Sequence, residues 1–344
     1  VKLLKNKQFW GALVAIGLLA FCVKDVTMTQ LEEMVDRIDP IYFIPAVILT
    51  LAYIALRALR WRLLASQKKT IPIMRAISLF SAGQIITVAM PALTGQLGRV
   101  FLFANKEGMR KSFVFSTIVL EVIFDAISLV VFLLATSLAF AFPDKYRFLS
   151  IIIGGATVFV IVVLYLILHY RKSYEAWSKR NWRENRPRLY IGTKKFVRSF
   201  SKGIETLRSS QHLFGSLALS LGAWIVHMLV IHTLLLSFGF ELPLAASAAV
   251  MIINTLALMI PITPGNAGTF EIAVVGALAA FSIGRADAVL FALALHFLDL
   301  FPVFVLGTLF LRSEQVSIRE FKEKHQGKRI LDQVTENGEL VERT

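Results

Sequence analysis

Six ionisable side chains, Arg99, Glu121, Asp125, Glu271, His296 and Asp299, sit in stretches apolar enough to lie inside a bilayer. A charge at that depth costs about 2.5–3.5 kcal/mol on insertion scales, so each is a functional candidate. Glu121 and Asp125 are four apart and share one helix face, and His296 and Asp299 are three apart at a comparable place later in the chain. Two carboxylates facing a His/Asp pair would relay protons or bind a cation. The same residues could equally be buried pairs that fix helix register, with Arg57, Arg60 or Arg99 as partners. Arg99 has a second use, because a guanidinium holds an anionic head group through two parallel hydrogen bonds; it could also pair with Glu271. Lining or coupling a path falls to Arg60, Glu121, Asp125, His296 and Asp299.

Two nearly identical strings flank this chemistry. Pro91-Ala-Leu-Thr94-Gly95-Gln96-Leu-Gly98 and Pro261-Ile-Thr-Pro264-Gly265-Asn266-Ala-Gly268 share the form Pro-x-x-x-Gly-[Gln/Asn]-x-Gly. In lipid every backbone N–H and C=O needs a partner, so a Pro/Gly break at membrane depth is tolerated only where it lines a cavity or is buried in protein. Paired breaks in two halves of a chain point to a transporter's binding site. The half-helix after a break begins with free N–H groups, which together with the helix dipole attract anions. Thr94, Gly95, Gln96, Gly98, Arg99, Pro264, Gly265, Asn266, Gly268 and Glu271 are therefore the candidate substrate-binding residues. The plainer reading is that the glycines permit a tight turn and close helix packing.

The elements that must position these groups follow from length and charge. Of 344 residues, 56% are hydrophobic and 17% charged, against about 45–50% and 25% in soluble domains. Apolar runs at about 9–24, 41–65, 112–141, 148–170, 213–238 and 286–311 are long enough to span a bilayer. Two further stretches, 73–90 and 244–260, run into the breaks, and each is followed by a short apolar return near 97–104 and 269–283. The predicted fold is an all-α polytopic membrane protein with about six full transmembrane helices plus two re-entrant helical hairpins.

The net charge of +14 is concentrated between spans rather than spread as in a nucleic-acid binder. Arg57, Arg60, Arg62, Lys68 and Lys69, then Lys106, Arg110 and Lys111, then the loop 171–211 mark one face as cytoplasmic. The 24–40 loop, with Asp25, Glu32, Glu33, Asp36 and Asp39, lies opposite. Both termini then fall in the cytoplasm, as expected for a bacterial inner-membrane protein. Beyond the breaks, Ala52-Tyr53-Ile54 matches Ala223-Trp224-Ile225 and Ile71-Pro72-Ile73 matches Leu242-Pro243-Leu244, at an offset of 171 that becomes 170 at Pro91/Pro261. Residues 1–312 thus read as one transmembrane domain of two repeats, about 9–141 and 148–311, followed by a cytoplasmic tail, 313–344. Each repeat has three full spans and one hairpin; three is odd, so the second is inverted.

Several chemistries drop out. The single cysteine, Cys22, allows neither an internal disulfide nor a thiolate cluster. His227 and His232 are five apart and His296 is remote, so no metal site is expected. Neither a nucleotide loop nor a Ser-His-Asp set is present, and neither cofactor nor enzymatic activity is expected. Lys2, Lys5 and Lys7 before an apolar run resemble a signal peptide, yet bulky Phe21 precedes Cys22 and no small-x-small pattern follows, which favours an uncleaved span. The 171–211 loop, with about a dozen basic residues and Trp177, Trp182 and Tyr190, suits an amphipathic segment on anionic lipid, or simply enforces topology.

At this point a family comes into view. Pro261-x-Thr-Pro-Gly-x-x-Gly-x-x-Glu271, Leu59-Arg60-Trp61, the stretch Pro91 to Arg99 and the pair Glu121-x-x-x-Asp125 resemble the flippase-like transmembrane domain of lysylphosphatidylglycerol synthases, over about residues 9–312. The resemblance implies re-entrant segments at the same Pro and Gly positions and movement of lipid head groups between leaflets. It extends to stand-alone members linked to hopanoid, glycolipid and polyprenyl-lipid handling. The chain departs from the family pattern at Gln96, where a glutamate is usual, and at Val122, where an arginine usually follows the glutamate. The expected function is a lipid flippase acting on a phosphate-bearing head group. Alternatives are a membrane scaffold for a separate glycosyl- or aminoacyl-transferase, and a secondary transporter of a small anion. Nucleic acid is not an expected partner; a lipid-modifying enzyme and a second copy of the chain are left open.

Overall fold

A computed structural model describes residues 16–21, 24, 27–89, 93–139, 171–182, 187–205, 209–258 and 263–313, with scattered positions between 155 and 170. The spans expected at about 9–24 and 148–170, the tip residues 90–92 and 259–262, and the tail beyond 313 lie wholly or largely outside these. The described elements are helices: α1 Met28–Arg37, α2 Pro40–Ala65, α3 Ile73–Ala89, α4 Leu93–Glu107, α5 Lys111–Ala139, α6 Arg171–Trp182, α7 Pro187–Ile204, α8 Ser210–Ser237, α9 Leu244–Leu258, α10 Thr269–Leu278 and α11 Arg285–Ser313. Four of them, over Pro40–Ala65, Lys111–Thr136, Ser210–Ser237 and Arg285–Arg312, are long and apolar enough to cross a membrane.

The start of α2 shows how sequence sets these boundaries. Asp39 is extended and its carboxylate accepts the Ile41 N–H at 2.9 Å, while Pro40 takes the first helical position, where no N–H is needed. Helix α4 stops at Gly108, whose φ of +64° lets the Met109 N–H reach back to the Ala104 carbonyl at 2.9 Å.

Helices α2 and α8 pack along their length in opposite directions. The Asp39 N–H donates to the Ser237 carbonyl at 2.8 Å and the Ser237 hydroxyl to the Asp39 carbonyl at 3.0 Å. At the far end the Ser66 hydroxyl lies 3.1 Å from His212 Nε2. Around this pair α3 packs on α4 and α11, α9 on α10 and α5, α4 on α5 and α10 on α11. Beside a small apolar core of Leu64, Leu120, Ile123, Phe124 and Phe200, two larger ones result among the described residues. One joins α2 to α5 and takes Val303 and Leu311 from α11; the other joins α8 to α11 and takes Leu129 and Leu133 from α5.

Helices α3 and α11 touch closely because residue 307 is glycine. A Cβ there would come within 2.6 Å of the Ser81 carbonyl oxygen and of Ile85 Cδ1, and the former is backbone that cannot swing away. Gly307→Ala is expected to cost about 1–3 kcal/mol by overpacking. Gly276 in α10 has no atom within 4 Å of such a Cβ, so Gly276→Ala should be neutral or stabilising by up to about 1 kcal/mol. Denaturation of the purified variants in detergent checks the contrast; equal costs would dismiss the steric argument.

Candidate functional site

Tyr53, Arg57 and Arg60 recur at four- and three-residue spacing, which puts them on one face of α2. That face meets α5 and α8. Arg60 is fully buried and donates to Asp125 through both terminal nitrogens, Nη1 to Oδ1 at 2.6 Å and Nη2 to Oδ2 at 3.0 Å. Its Nη1 also reaches the Ser220 hydroxyl at 2.6 Å, and Trp224 Nε1 donates to Asp125 Oδ1 at 3.3 Å. Asp125 is thereby held by α2 and α8 together. Arg57 is the looser partner: its Nη2 lies 3.4 Å from Asp125 Oδ2, its Nη1 donates to the Tyr53 hydroxyl at 3.0 Å, and its Nε has no hydrogen-bond partner. Its side chain keeps 23% of its surface exposed, and Asp125 27%.

The Tyr53 ring stacks on His227 of α8, centroids 4.7 Å apart. On its other side His227 Nδ1 faces Asp299 Oδ1 of α11 at 4.0 Å, too far for a hydrogen bond, and neither atom has another partner. This polar strip lies deep: Asp125 and Asp299 each fall 14 residues into their helices, about 20 Å from either end at 1.5 Å per residue.

Arg99 and Glu121 form a separate, drier pair, with Nη2 to Oε2 at 2.8 Å and both side chains 3% exposed. The guanidinium lies over the rings of Phe80 and Phe103, at 4.7 and 5.1 Å. Gly83 makes room for the stem, since a Cβ there would stand 2.8 Å from Arg99 Cγ. Glu121 thus finds its cation across the α4–α5 crossing instead of at the next residue, and Val122, 58% exposed, presents an apolar side chain outward.

The two matching strings fold differently. Helix α4 begins at Leu93, so Thr94, Gly95, Gln96 and Gly98 are helical; the Thr94 side chain lies outside the described residues. Around the second string Gly265, Asn266 and Gly268 have φ of +63°, +59° and +84°, and α10 starts only at Thr269. Pro264 disfavours a helical Thr263, and Glu271 fixes the later start by accepting the Gly268 N–H through Oε2 at 2.6 Å. The position matching Glu271 in the first repeat is Phe101, which offers no such cap. The N-terminus of α10 therefore already receives a carboxylate from its own chain.

Glu271 does not meet Arg99; its partner is His296, Oε1 to Nδ1 at 2.7 Å. His296 Nε2 lies 3.0 Å from the Gly265 carbonyl, and a carbonyl only accepts, so Nε2 carries a hydrogen. Phe270 stacks on the imidazole at 4.2 Å. Asp299, on the same helix face, turns to His227 instead, so the two carboxylates of α5 and the His/Asp pair of α11 serve four different partners. The second string reaches α3: the turn Pro264–Asn266 contacts that helix, and a Cβ on Gly265 would lie 3.5 Å from Val88. Buried Gln96 Oε1, Asn254 Oδ1 and Thr269 Oγ1 have no hydrogen-bond partner among the described residues.

Tyr53, Trp224 and His227 are site residues that pattern reading missed. The first two counted only as repeat landmarks, and His227 was weighed only as a metal ligand, beside His232 and His296, and set aside. The available signal was Tyr53-x-x-x-Arg57-x-x-Arg60 on one face. Among the described residues no three His, Cys, Asp or Glu side chains are placed to hold a metal ion.

Membrane-length helices enclosing a row of ionised and aromatic groups define an integral membrane protein with a polar interior. The chain belongs to the family described as the lysylphosphatidylglycerol synthase TM region, which matches residues 8–307. It is 22% identical over 283 residues to a UPF0104 membrane protein of Methanothermobacter thermautotrophicus, covering 77% of this chain and 83% of that protein. No solved structure matches it.

Proposed function

We propose that the chain is a lipid translocase that passes a phosphate-bearing head group between leaflets while the acyl chains remain in lipid. Arg57 carries this reading. Of the three interior arginines, Arg60 and Arg99 are buried against carboxylates, whereas Arg57 is partly exposed and lies 3.4 Å from a carboxylate that Arg60 holds at 2.6 Å. A cation so placed suits a phosphate through charge-assisted hydrogen bonds. Family membership supports a role in lipid handling, and the antiparallel packing of counterpart helices suits an inverted-repeat transporter with two re-entrant hairpins.

In this reading both termini face the cytoplasm, and the first-string residues Thr94, Gly95, Gln96 and Gly98 lie beside the path. Arg99 acts as a positioning residue within its pair with Glu121. Helix α7 rests Phe196 and Phe200 against Phe115 of α5 and exposes Lys194, Lys195 and Arg198, which suits anionic lipid at the interface. A scaffold for a separate enzyme is the second reading, favoured by a family description that names the membrane region of a synthase.

Reconstitution in liposomes tests the two. Wild-type protein is expected to equilibrate fluorescent phospholipids, or a polyprenyl phosphate, between leaflets faster than protein-free vesicles. Folded protein that exchanges neither would leave the scaffold.

A further inference from the structure

A cavity lies outside the interior network, where α2 ends and the turn between α4 and α5 begins. Its volume is about 330 Å³ and it is lined by Lys68, Lys69, Glu107, Gly108, Met109, Arg110 and Phe113. Its size is at the lower end of ordinary ligand pockets.

Its charge is unbalanced. Glu107, the one carboxylate in the wall, is 4% exposed and already receives Lys69 Nζ at 2.8 Å and Arg75 Nε at 2.9 Å. Lys68 and Arg110 are exposed and have no side-chain partner among the described residues. Four cations thus surround one carboxylate, and the two spare ones stand in the wall of one cavity. Met109 and Phe113 add an apolar side.

The place is as informative as the charge. The span α2 ends at Ala65 and the span α5 begins at Lys111, so the cavity opens at the level of the membrane surface, on the side where basic residues gather. Polar atoms of a lipid head group reside at that level, with acyl chains beyond it.

We infer that this cavity is a second anion site, which takes the phosphate of a lipid head group between Lys68 and Arg110. Free phosphate shares that chemistry, and the test separates the two sources. Neither cation belongs to the Arg57 network, so the site stands whether or not lipid crosses the membrane through the interior.

Calorimetric titration of the full chain in neutral detergent, with a short-chain phosphatidylglycerol, the matching diacylglycerol and inorganic phosphate, reads the site. The lipid is expected to bind, and Lys68→Gln or Arg110→Gln each to weaken it about tenfold, as loss of one charge-assisted hydrogen bond predicts. Arg110→Lys should stay near wild type. Met109→Trp, which fills the cavity without touching a charge, should also lower affinity and keeps the test open if a charge variant fails to fold. Inorganic phosphate binding as tightly, with the same sensitivity to both variants, would assign the site to free phosphate. Diacylglycerol binding as tightly as the phospholipid would overturn the inference. So would a loss confined to Arg57→Gln, with none at Lys68 or Arg110, since all binding would then belong to the interior.

Discussion

Glu121→Ala is expected to destabilise the protein by about 3–5 kcal/mol, the cost of leaving one member of a buried ion pair behind. The stranded group would be the Arg99 guanidinium, 3% exposed and reaching no other carboxylate among the described residues. Its neighbours Phe80 and Phe103 offer only ring faces, which attract a cation far less than a carboxylate does. The double variant Arg99→Met/Glu121→Leu should recover most of the loss, because a well-packed apolar pair is often neutral or better at such a place. Unfolding of the purified variants in detergent, followed by circular dichroism, gives both numbers. If the double variant is no more stable than the single, charge burial is not the cause.

Arg57→Gln should leave folding nearly intact and cut lipid exchange by roughly 10- to 100-fold, the range set by losing one or more charge-assisted hydrogen bonds to a phosphate. Folding is spared because the Arg57 link to Asp125 is the longer one, and Asp125 keeps Arg60 as its closer partner when Arg57 is removed. Arg60→Gln is the opposite case: Arg60 is fully buried and holds Asp125 through two nitrogens. Arg57→Lys keeps the charge but not the planar fork and should retain part of the exchange. Parallel exchange and melting measurements decide the matter. Unchanged exchange in Arg57→Gln, or a loss of folded protein matching the loss of exchange, would remove Arg57 from the substrate path.

The large elements were legible because apolar length and Pro/Gly breaks are local signals. The expected runs 41–65, 112–141, 213–238 and 286–311 coincide within a few residues with α2, α5, α8 and α11. The landmark strings Ala52-Tyr53-Ile54 and Ala223-Trp224-Ile225 lie on α2 and α8, the two helices that run antiparallel along the seam. Arg57, Arg60 and Arg99 were legible as the cations for buried pairs, and they do hold Asp125 and Glu121; which carboxylate each takes was not, because it depends on how helices cross. Glu121 is followed by Val122 and lacked a cation in its immediate sequence, yet α4 brings Arg99 to it. Glu271 and His296 are 25 residues apart, and only the pairing of α10 with α11 joins them. The two tips look alike as strings and part company over Pro264 against Thr94 and Glu271 against Phe101, differences that matter only once a helix start needs a cap.

Unlike polar residues in the two halves have an energetic consequence for the proposed translocase. A perfectly twofold frame could exchange the conformations of its halves at no net cost, and its two symmetry-related states would be equally populated. Among the described residues, α2 to α5 carry Arg57, Arg60, Arg99, Glu121 and Asp125, whereas α8 to α11 carry His227, Glu271, His296 and Asp299, and one string is helical where the other is not. That inequality lifts the degeneracy. Any rocking of one half against the other would start from a preferred side, set by these unlike residues.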